Sequence, residues 1–235
     1  MLVEVWSDVT CPWCGIGHHR LQQALEKFEH AAAVEVVFRS FVLNKHAPGN
    51  TTWPMREHLM GKYGLAGEAA DANMAKIEQI AAGDGLAPYC LHDNVVGNTL
   101  LAHELLAYAK EQGRGPEAWA RLFRAYFSDC ISVFDVDSLV ELGAEIGLDT
   151  RELRAALEDR RYRRAVEQDD HIARARGIEG VPFFMFAGRF ALPGADTVET
   201  LLRGLELGWE HANQAPTEVL ASTGARCDET GCEIP

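Results

Sequence analysis

The strongest constraint on the fold is a long segment, residues 53–176, in which helical patterns follow one another and strand signals nearly vanish. Runs rich in β-branched and aromatic residues lie on either side of it, at residues 2–6, 34–41, 182–186 and 189–191. Gly, Pro and Asp residues separate the helical patterns, as helix caps and stops do. The predicted order of elements is therefore β-α-β, a helical block, then β-β-α.

Two helices and a hairpin complete this prediction. Residues 16–29 place Leu21, Leu25 and Phe28 at helical spacing, which predicts one apolar stripe that packs on a sheet. Ala187-Gly188 splits the two late strand signals as a tight hairpin turn, and a last amphipathic helix spans about residues 197–211. After Asn213 the composition changes to Pro, Thr, Ser, Gly and acidic residues, which is typical of a mobile tail.

Composition excludes several classes of protein. The chain has 235 residues and is 47% hydrophobic, which fits a globular fold with a sizeable core. Its 35 acidic against 22 basic residues give a formal charge of -13, which would repel phosphate backbones and anionic lipid. We therefore expect neither nucleic acid nor a membrane as a partner. Met1 runs directly into a strand-like segment with no secretory pattern, so we expect a cytoplasmic protein.

The six cysteines point to redox or metal chemistry, because a reducing compartment does not support a disulfide framework. Cys11 and Cys14 form a C-P-W-C sequence where the first strand gives way to a helix. At the helix start, unpaired N–H groups and the macrodipole favour a thiolate on Cys11, and Pro12 suits the first helical position. Cys14 returns to the same face one turn later, at a separation that suits a disulfide. We expect Cys11 to attack, partly exposed and with a depressed pKa, and Cys14 to resolve from a shielded position.

A second signal lies at the entry to the returning strand, in the sequence Gly-Val-Pro-Phe-Phe of residues 180–184. Pro182 in a cis bond after Val181 would leave the backbone of Val181 free to pair with an extended substrate. An ordinary trans proline at the start of a strand is the alternative. The presence of C-P-W-C in the same chain favours the cis bond, and with it a substrate groove beside Pro182.

Together these features resemble the DsbA family of thiol–disulfide oxidoreductases, and its FrnE-like branch in particular. The resemblance rests on C-P-W-C after the first strand, V-P before the third, and the helical block between them. Trp13, the NTLLAH stretch of residues 98–103 and VPFFMF of residues 181–186 are the most branch-like features. It extends over nearly the whole chain, to about Asn213.

The resemblance implies an α/β thioredoxin fold with a large all-helical insertion. Residues 1–52 and 177–213 would form the thioredoxin-like domain, residues 53–176 the insertion, and residues 214–235 a flexible tail. It implies Cys11 as nucleophile, Cys14 as resolving thiol, and Val181 with cis-Pro182 beside them, with Trp13 contributing to substrate binding.

The function that follows is that of a protein disulfide reductase or isomerase acting through a mixed disulfide. We expect no cofactor and no metal. Protein thiols and disulfides would be its substrates, and glutathione or a thioredoxin-type reductant its recycling partner.

Two alternatives stay open at this point. A glutathione-dependent transferase or isomerase of the kappa class shares the fold, although such enzymes usually carry serine where Cys11 stands. A zinc-binding, chaperone-like module could use Cys11 and Cys14 with Cys227 and Cys232 as four thiolate ligands. The last two cysteines, four residues apart in the tail, could instead form a second dithiol that exchanges with the first.

The remaining cysteine, histidine and aspartate candidates are interpreted as structural residues. We interpret Cys90 and Cys130 as buried small hydrophobic residues without a function. His103 reads as a packed helix residue and His18 as a surface residue. Asp8 reads as a cap of the first helix.

Overall fold

The protein is described here by a computed structural model. It covers residues 1–49, 51–213, 227–228 and 231–232, the last two pairs as backbone only. None of its helices in these ranges is long and apolar enough to cross a membrane.

The elements follow the predicted order. The strands are β1 (Leu2–Ser7), β2 (Glu35–Ser40), β3 (Thr52–Pro54), β4 (Val95–Gly97), β5 (Phe183–Phe186), β6 (Phe190–Pro193), β7 (Cys227–Asp228) and β8 (Gly231–Cys232). The helices are α1 (Pro12–Lys27), α2 (Met55–Tyr63), α3 (Gly67–Gly83), α4 (Leu100–Glu111), α5 (Gly115–Phe127), α6 (Val136–Glu145), α7 (Thr150–Glu158), α8 (Arg163–Ala175) and α9 (Val198–Ala212). The helical patterns predicted between residues 53 and 176 correspond to helices α2 to α8.

The two ends of the chain share one sheet of order β2-β1-β5-β6. β1 runs parallel to β2 and antiparallel to β5, and Val5 is the partner of both Phe38 and Phe184. The α/β fold with an inserted helical block is therefore confirmed, and both termini of the block lead into this sheet.

Each face of the sheet is covered by helices. Val3 and Val5 of β1 and Phe184 of β5 pack against Leu21 of α1 and Leu205 of α9 in one buried cluster. Successive strand residues point to opposite faces, so Trp6 lies on the other side, in a cluster with Ala173 of α8. At about 25 cal/mol per Å² of buried apolar surface, these clusters supply most of the stabilisation of the sheet.

The helical block has its own core, built around α4, α5, α6 and α7. Cys11, Cys14 and Ile16 belong to this core rather than to the sheet clusters. The start of α1 therefore lies where the sheet meets the helical block.

The sequence missed one small element in this block. β3 and β4 pair antiparallel, with Trp53 opposite Val96. Three residues are too few to produce an alternating pattern, so periodicity could not reveal them.

Candidate active site

The C-P-W-C turn lies between β1 and α1. Cys11 is the N-cap with extended backbone, and Pro12 is the first helical residue. The carbonyl of Cys11 accepts bonds from the N–H groups of Cys14, at 2.9 Å, and of Gly15, at 3.3 Å. Both thiols therefore meet across the first helical turn, as the sequence predicts.

Burial of this pair differs from the expectation. Cys14 is 1% exposed and shielded as predicted, but Cys11 is only 6% exposed, so the predicted partial exposure of Cys11 is wrong. Residues of the helical block and the Val181 backbone cover its sulfur, whereas Trp13 between the cysteines is 36% exposed.

The environment of Cys14 keeps its thiol protonated. Burial, followed by the hydrogen bond and charge of Cys11, raises the pKa of Cys14 well above its usual value. The Ser7 hydroxyl and the Asp8 backbone N–H oppose that rise. A proton must therefore leave Cys14 before this sulfur can act as a nucleophile.

The loop before β5 faces the cysteines. The Val181–Pro182 bond is cis, as predicted. The Cys11 thiol donates a hydrogen bond to the Val181 carbonyl, with a sulfur–oxygen distance of 3.5 Å. On α1, a Cβ at Gly17 would lie 3.2 Å from the Pro182 ring, so the glycine lets this loop approach the helix closely.

Tyr89 is a site residue that the sequence did not reveal. Its hydroxyl donates a 2.6 Å hydrogen bond to the carbonyl of Pro12, inside the C-P-W-C turn. Its ring stacks on Phe127 with a centroid distance of 4.5 Å. A Cβ at Gly15 would lie 2.4 Å from the hydroxyl oxygen, so the glycine that follows the second cysteine is the only sequence hint of this contact.

Asp8 does not cap α1, which has no side-chain cap. Its fully buried carboxylate instead accepts from the Leu43 N–H, in the loop after β2, at 2.7 Å and from the Thr99 hydroxyl, in the helical block, at 3.2 Å. His103, also fully buried, lies 3.9 Å from this carboxylate and bonds Ser40 through its other ring nitrogen. Burial alone would raise the pKa of Asp8, but His103 and the backbone donors outweigh it and lower the pKa. Asp8 therefore fixes the loop before Cys11 to the helical block.

His18 is buried, which corrects its interpretation as a surface residue. Its ring lies between Phe38 and Phe123, at centroid distances of 5.3 and 5.4 Å, because α5 packs over this face of α1. Burial, then the charge of His19, lowers its pKa to about 4.

A groove of about 610 Å³ opens beside Cys11. Trp13 and Val181 lie along it, and α2 and the segment after it contribute Leu59, Tyr63 and Leu65. Tyr63 is 60% exposed, so an aromatic side chain stands free at this groove. The arrangement can hold an extended, partly apolar chain against Cys11.

The remaining cysteines divide into two pairs. Cys90 and Cys130 are not buried as expected; they are half-buried and exposed, and the Cys90 N–H is bonded to the carbonyl of Phe127, at the end of α5 just before Cys130. Cys227 and Cys232 are directly opposite each other in the β7–β8 ladder. The side chains of Cys227 and Cys232 lie outside the described residues, so their role stays a prediction.

The comparisons with known proteins extend over nearly the whole chain. The family model described as a DSBA-like thioredoxin domain matches residues 2–206. Uncharacterized protein YwbO of Bacillus subtilis (strain 168) is 28% identical over 194 residues, which are 82% of this chain and 90% of that protein.

Solved structures of other proteins share this fold. A probable DsbA oxidoreductase, SCO1869 from Streptomyces coelicolor, is 37% identical with a TM-score of 0.87, covering 100% of this chain and 99% of that one. The cytosolic disulfide reductase DsbM from Pseudomonas aeruginosa, also solved with GSH, has the same fold at 20% identity. Its TM-score is 0.57, with 91% of this chain and 98% of that one covered. On the family match and on the cysteine pair at the start of α1, the chain belongs to the DsbA-like thioredoxin family.

Proposed function

We propose that this protein is a disulfide reductase or isomerase of protein substrates that works through Cys11 and Cys14. The observation that carries the proposal is the meeting of three groups: Cys11 at the helix N-cap, Cys14 one turn later, and the Val181 carbonyl within hydrogen-bond reach of Cys11. Cys11 lines the groove and contacts the Val181 carbonyl, whereas Cys14 is shielded at 1% exposure. Cys11 is therefore the attacking sulfur.

The reaction balances as two thiol–disulfide exchanges. The Cys11 thiolate attacks one sulfur of a substrate disulfide, forms a mixed disulfide and releases the other substrate sulfur as a thiolate, which takes up a proton. Cys14 then loses its proton and attacks the Cys11 sulfur, which releases the second substrate thiol. The substrate gains two electrons, and Cys11 and Cys14 become a disulfide that an external thiol must reduce.

Substrate binding is assigned to the groove beside Cys11. The Val181 main chain, beside Cys11 and along the groove, is the candidate for pairing with an extended peptide, whereas the Pro182 carbonyl already accepts from the Gly194 N–H. Trp13 and Tyr63 add exposed aromatic surface for apolar side chains near the target disulfide. The groove therefore favours extended, partly apolar segments over folded surfaces.

Ser7 is proposed as a residue that eases the resolving step. Its buried hydroxyl has no hydrogen-bond partner among the described residues and opposes the raised pKa of Cys14, so it is free to donate to the Cys14 thiolate as it forms. Ser7→Ala should therefore slow the resolution of the mixed disulfide by about threefold to tenfold, the worth of one ordinary hydrogen bond. The first exchange at Cys11 should keep its rate. Stopped-flow tryptophan fluorescence with a model disulfide peptide separates the two steps, and an equal slowing of both would contradict this role.

The direction of the reaction and the setting are also proposals. The proposed compartment is the cytoplasm, with glutathione or a thioredoxin-type reductant as the recycling thiol. DsbM of Pseudomonas aeruginosa, which has the same fold and is a cytosolic disulfide reductase, supports this setting. Trp13 with the NTLLAH and VPFFMF stretches supports the FrnE-like branch. The tail pair Cys227 and Cys232, with four residues between them, is a candidate second dithiol that exchanges with Cys11 and Cys14.

Trapping experiments test the central step. The Cys14→Ser variant should accumulate a mixed disulfide with a scrambled model protein, whereas Cys11→Ser should trap none. Trapping on Cys14 instead of Cys11 would reverse the assignment. Metal analysis of protein purified without chelator tests the zinc alternative. One bound zinc per chain, held by the two pairs of thiolates, would overturn the redox proposal.

The role of the tail needs a separate variant. Removal of the residues after Pro216 should change the reductase rate or the glutathione ratio that half-oxidises Cys11 and Cys14. Unchanged values would show that the tail pair takes no part in the redox chemistry of C-P-W-C.

A further inference from the structure

Cys90 and Cys130 come close although 39 residues separate them in the sequence, because the Cys90 N–H donates to the carbonyl of Phe127, three residues before Cys130, at 2.7 Å. Cys90 lies in the loop between α3 and β4, and Cys130 lies three residues after the end of α5. Burial raises the pKa of the Cys90 thiol to about 11, and the hydrogen bond and charge of Cys130 contribute next. The two sulfurs are thus neighbours outside the C-P-W-C site.

The backbone around the pair is held by its own hydrogen bonds. The Cys90 N–H donates to the carbonyl of Phe127 at 2.7 Å, and the Asn94 side-chain amide donates to the carbonyls of Cys90, at 2.7 Å, and Tyr126, at 2.8 Å. The Ile131 N–H donates to the Ala125 carbonyl at 2.8 Å and folds the end of α5 back toward the loop. These bonds bring the Cys90 and Cys130 backbones together before any disulfide forms.

Cys130 has a left-handed backbone, with φ of 51°. Residues other than glycine, asparagine and aspartate rarely adopt this conformation, which costs about 1–2 kcal/mol. Glycine would be the favourable residue for the turn alone, so the cysteine side chain is present at a conformational cost. Its thiol, on an exposed residue, is open to reagents in solvent.

We propose that Cys90 and Cys130 are a second redox site, whose disulfide clamps the Tyr89 loop to the end of α5 beside the C-P-W-C turn. Cys130 attacks a low-molecular-weight disulfide such as glutathione disulfide, forms a mixed disulfide and releases one glutathione thiol. Cys90 then loses its proton to solvent and attacks the Cys130 sulfur, which releases the second thiol. Two electrons pass from the cysteine pair to the glutathione disulfide.

The clamp has a direct route to the active site. Tyr89 precedes Cys90 in the chain, stacks on Phe127 and donates its hydroxyl hydrogen to the Pro12 carbonyl. Linking Cys90 to Cys130 fixes this tyrosine between α5 and α1. The redox state of the second pair therefore acts on the geometry of the first.

Peptide mapping of the full chain tests the first part of the proposal. Trypsin places Cys90 in residues 77–110, Cys130 in residues 125–151, and the C-P-W-C pair in residues 1–20, so each disulfide gives a distinct mass. The measured quantity is the amount of peptide 77–110 linked to peptide 125–151 as the concentration of glutathione disulfide is raised. The concentration that gives half of the maximum should be at least about tenfold lower for folded protein than for protein in 8 M urea. Absence of this peptide, or equal concentrations in both states, would overturn the proposal.

Matched variants test the clamp. Cys90→Ser and Cys130→Ser remove the same disulfide from opposite sides. The measured quantity is the glutathione ratio at which Cys11 and Cys14 are half oxidised. Both variants should change this ratio by the same factor, about two or more. No change, or unequal changes, would refute the clamp. This test of the clamp rests on the proposed function of C-P-W-C. If Cys11 were redox-inert, the mass of peptide 1–20 would be the same in all glutathione buffers, while the peptide linked through Cys90 and Cys130 would still report on the second pair.

Discussion

Acidification should destabilise this protein through one buried histidine. His18 is packed between Phe38 and Phe123, and burial, with a smaller contribution from His19, lowers its pKa from 6.5 to about 4. Between these two values the unfolded chain binds a proton that the folded chain does not. The free energy of unfolding therefore rises with pH across this window and is lost as pH falls from about 6.5 toward 4.

The magnitude follows from the two pKa values. With 6.5 for the unfolded and about 4 for the folded state, His18 alone should lower the free energy of unfolding by about 2 kcal/mol between pH 7.5 and pH 5. Most carboxylates are still ionised at pH 5, so they contribute less in this window.

Urea unfolding of wild-type and His18→Phe protein at the two pH values measures this term. The phenylalanine keeps an aromatic ring against Phe38 and Phe123 but binds no proton, so its stability should fall by about 2 kcal/mol less than that of the wild type. His171→Gln is the control, because His171 is exposed on α8 and the variant should keep the wild-type difference. Equal pH dependence in wild-type and His18→Phe protein would refute the reasoning.

Two further substitutions test close packing and a buried charge. Gly15→Ala places a Cβ against the Tyr89 hydroxyl and should destabilise the fold by about 1–3 kcal/mol. Gly61→Ala on α2, with open space around it, should be neutral or stabilising, and equal effects in urea unfolding would contradict the contact. Arg160→Ala removes the 2.7 Å partner of the fully buried Glu104 and should cost about 3 kcal/mol. Adding Glu104→Gln should restore part of that loss, and no recovery in the double variant would show that the unpaired charge is not the cause.

Most of the fold could be predicted from local sequence patterns. The helices between residues 53 and 176 were predictable because amphipathic periodicity and capping residues are local signals. The strand pair β3–β4 was not, since its partners are distant in sequence: α2 and α3 lie between Trp53 and Val96. Burial of His18 was missed for a related reason: the apolar stripe of α1 shows which face meets the sheet, and nothing local shows that α5 covers another.

The active site divides in the same way. Cys11, Pro12 and Cys14 were predictable because a strand end, a proline at the first helical position and a second thiol one turn later are all read within a few residues. Cys90 and Cys130 were not, because their meeting depends on a backbone bond from Cys90 to Phe127, and backbone bonds leave no residue-type signature.

Asn94 is the exception in that region, since its side-chain amide bridges the carbonyls of Cys90 and Tyr126. An amide with two donors can join two chain segments where a single N–H cannot. The Cys90 loop and the end of α5 are therefore held together whether the thiols are reduced or oxidised. A disulfide formed there would close without a large backbone movement, so its oxidation would act on the Tyr89 contact with Pro12 rather than on the fold as a whole.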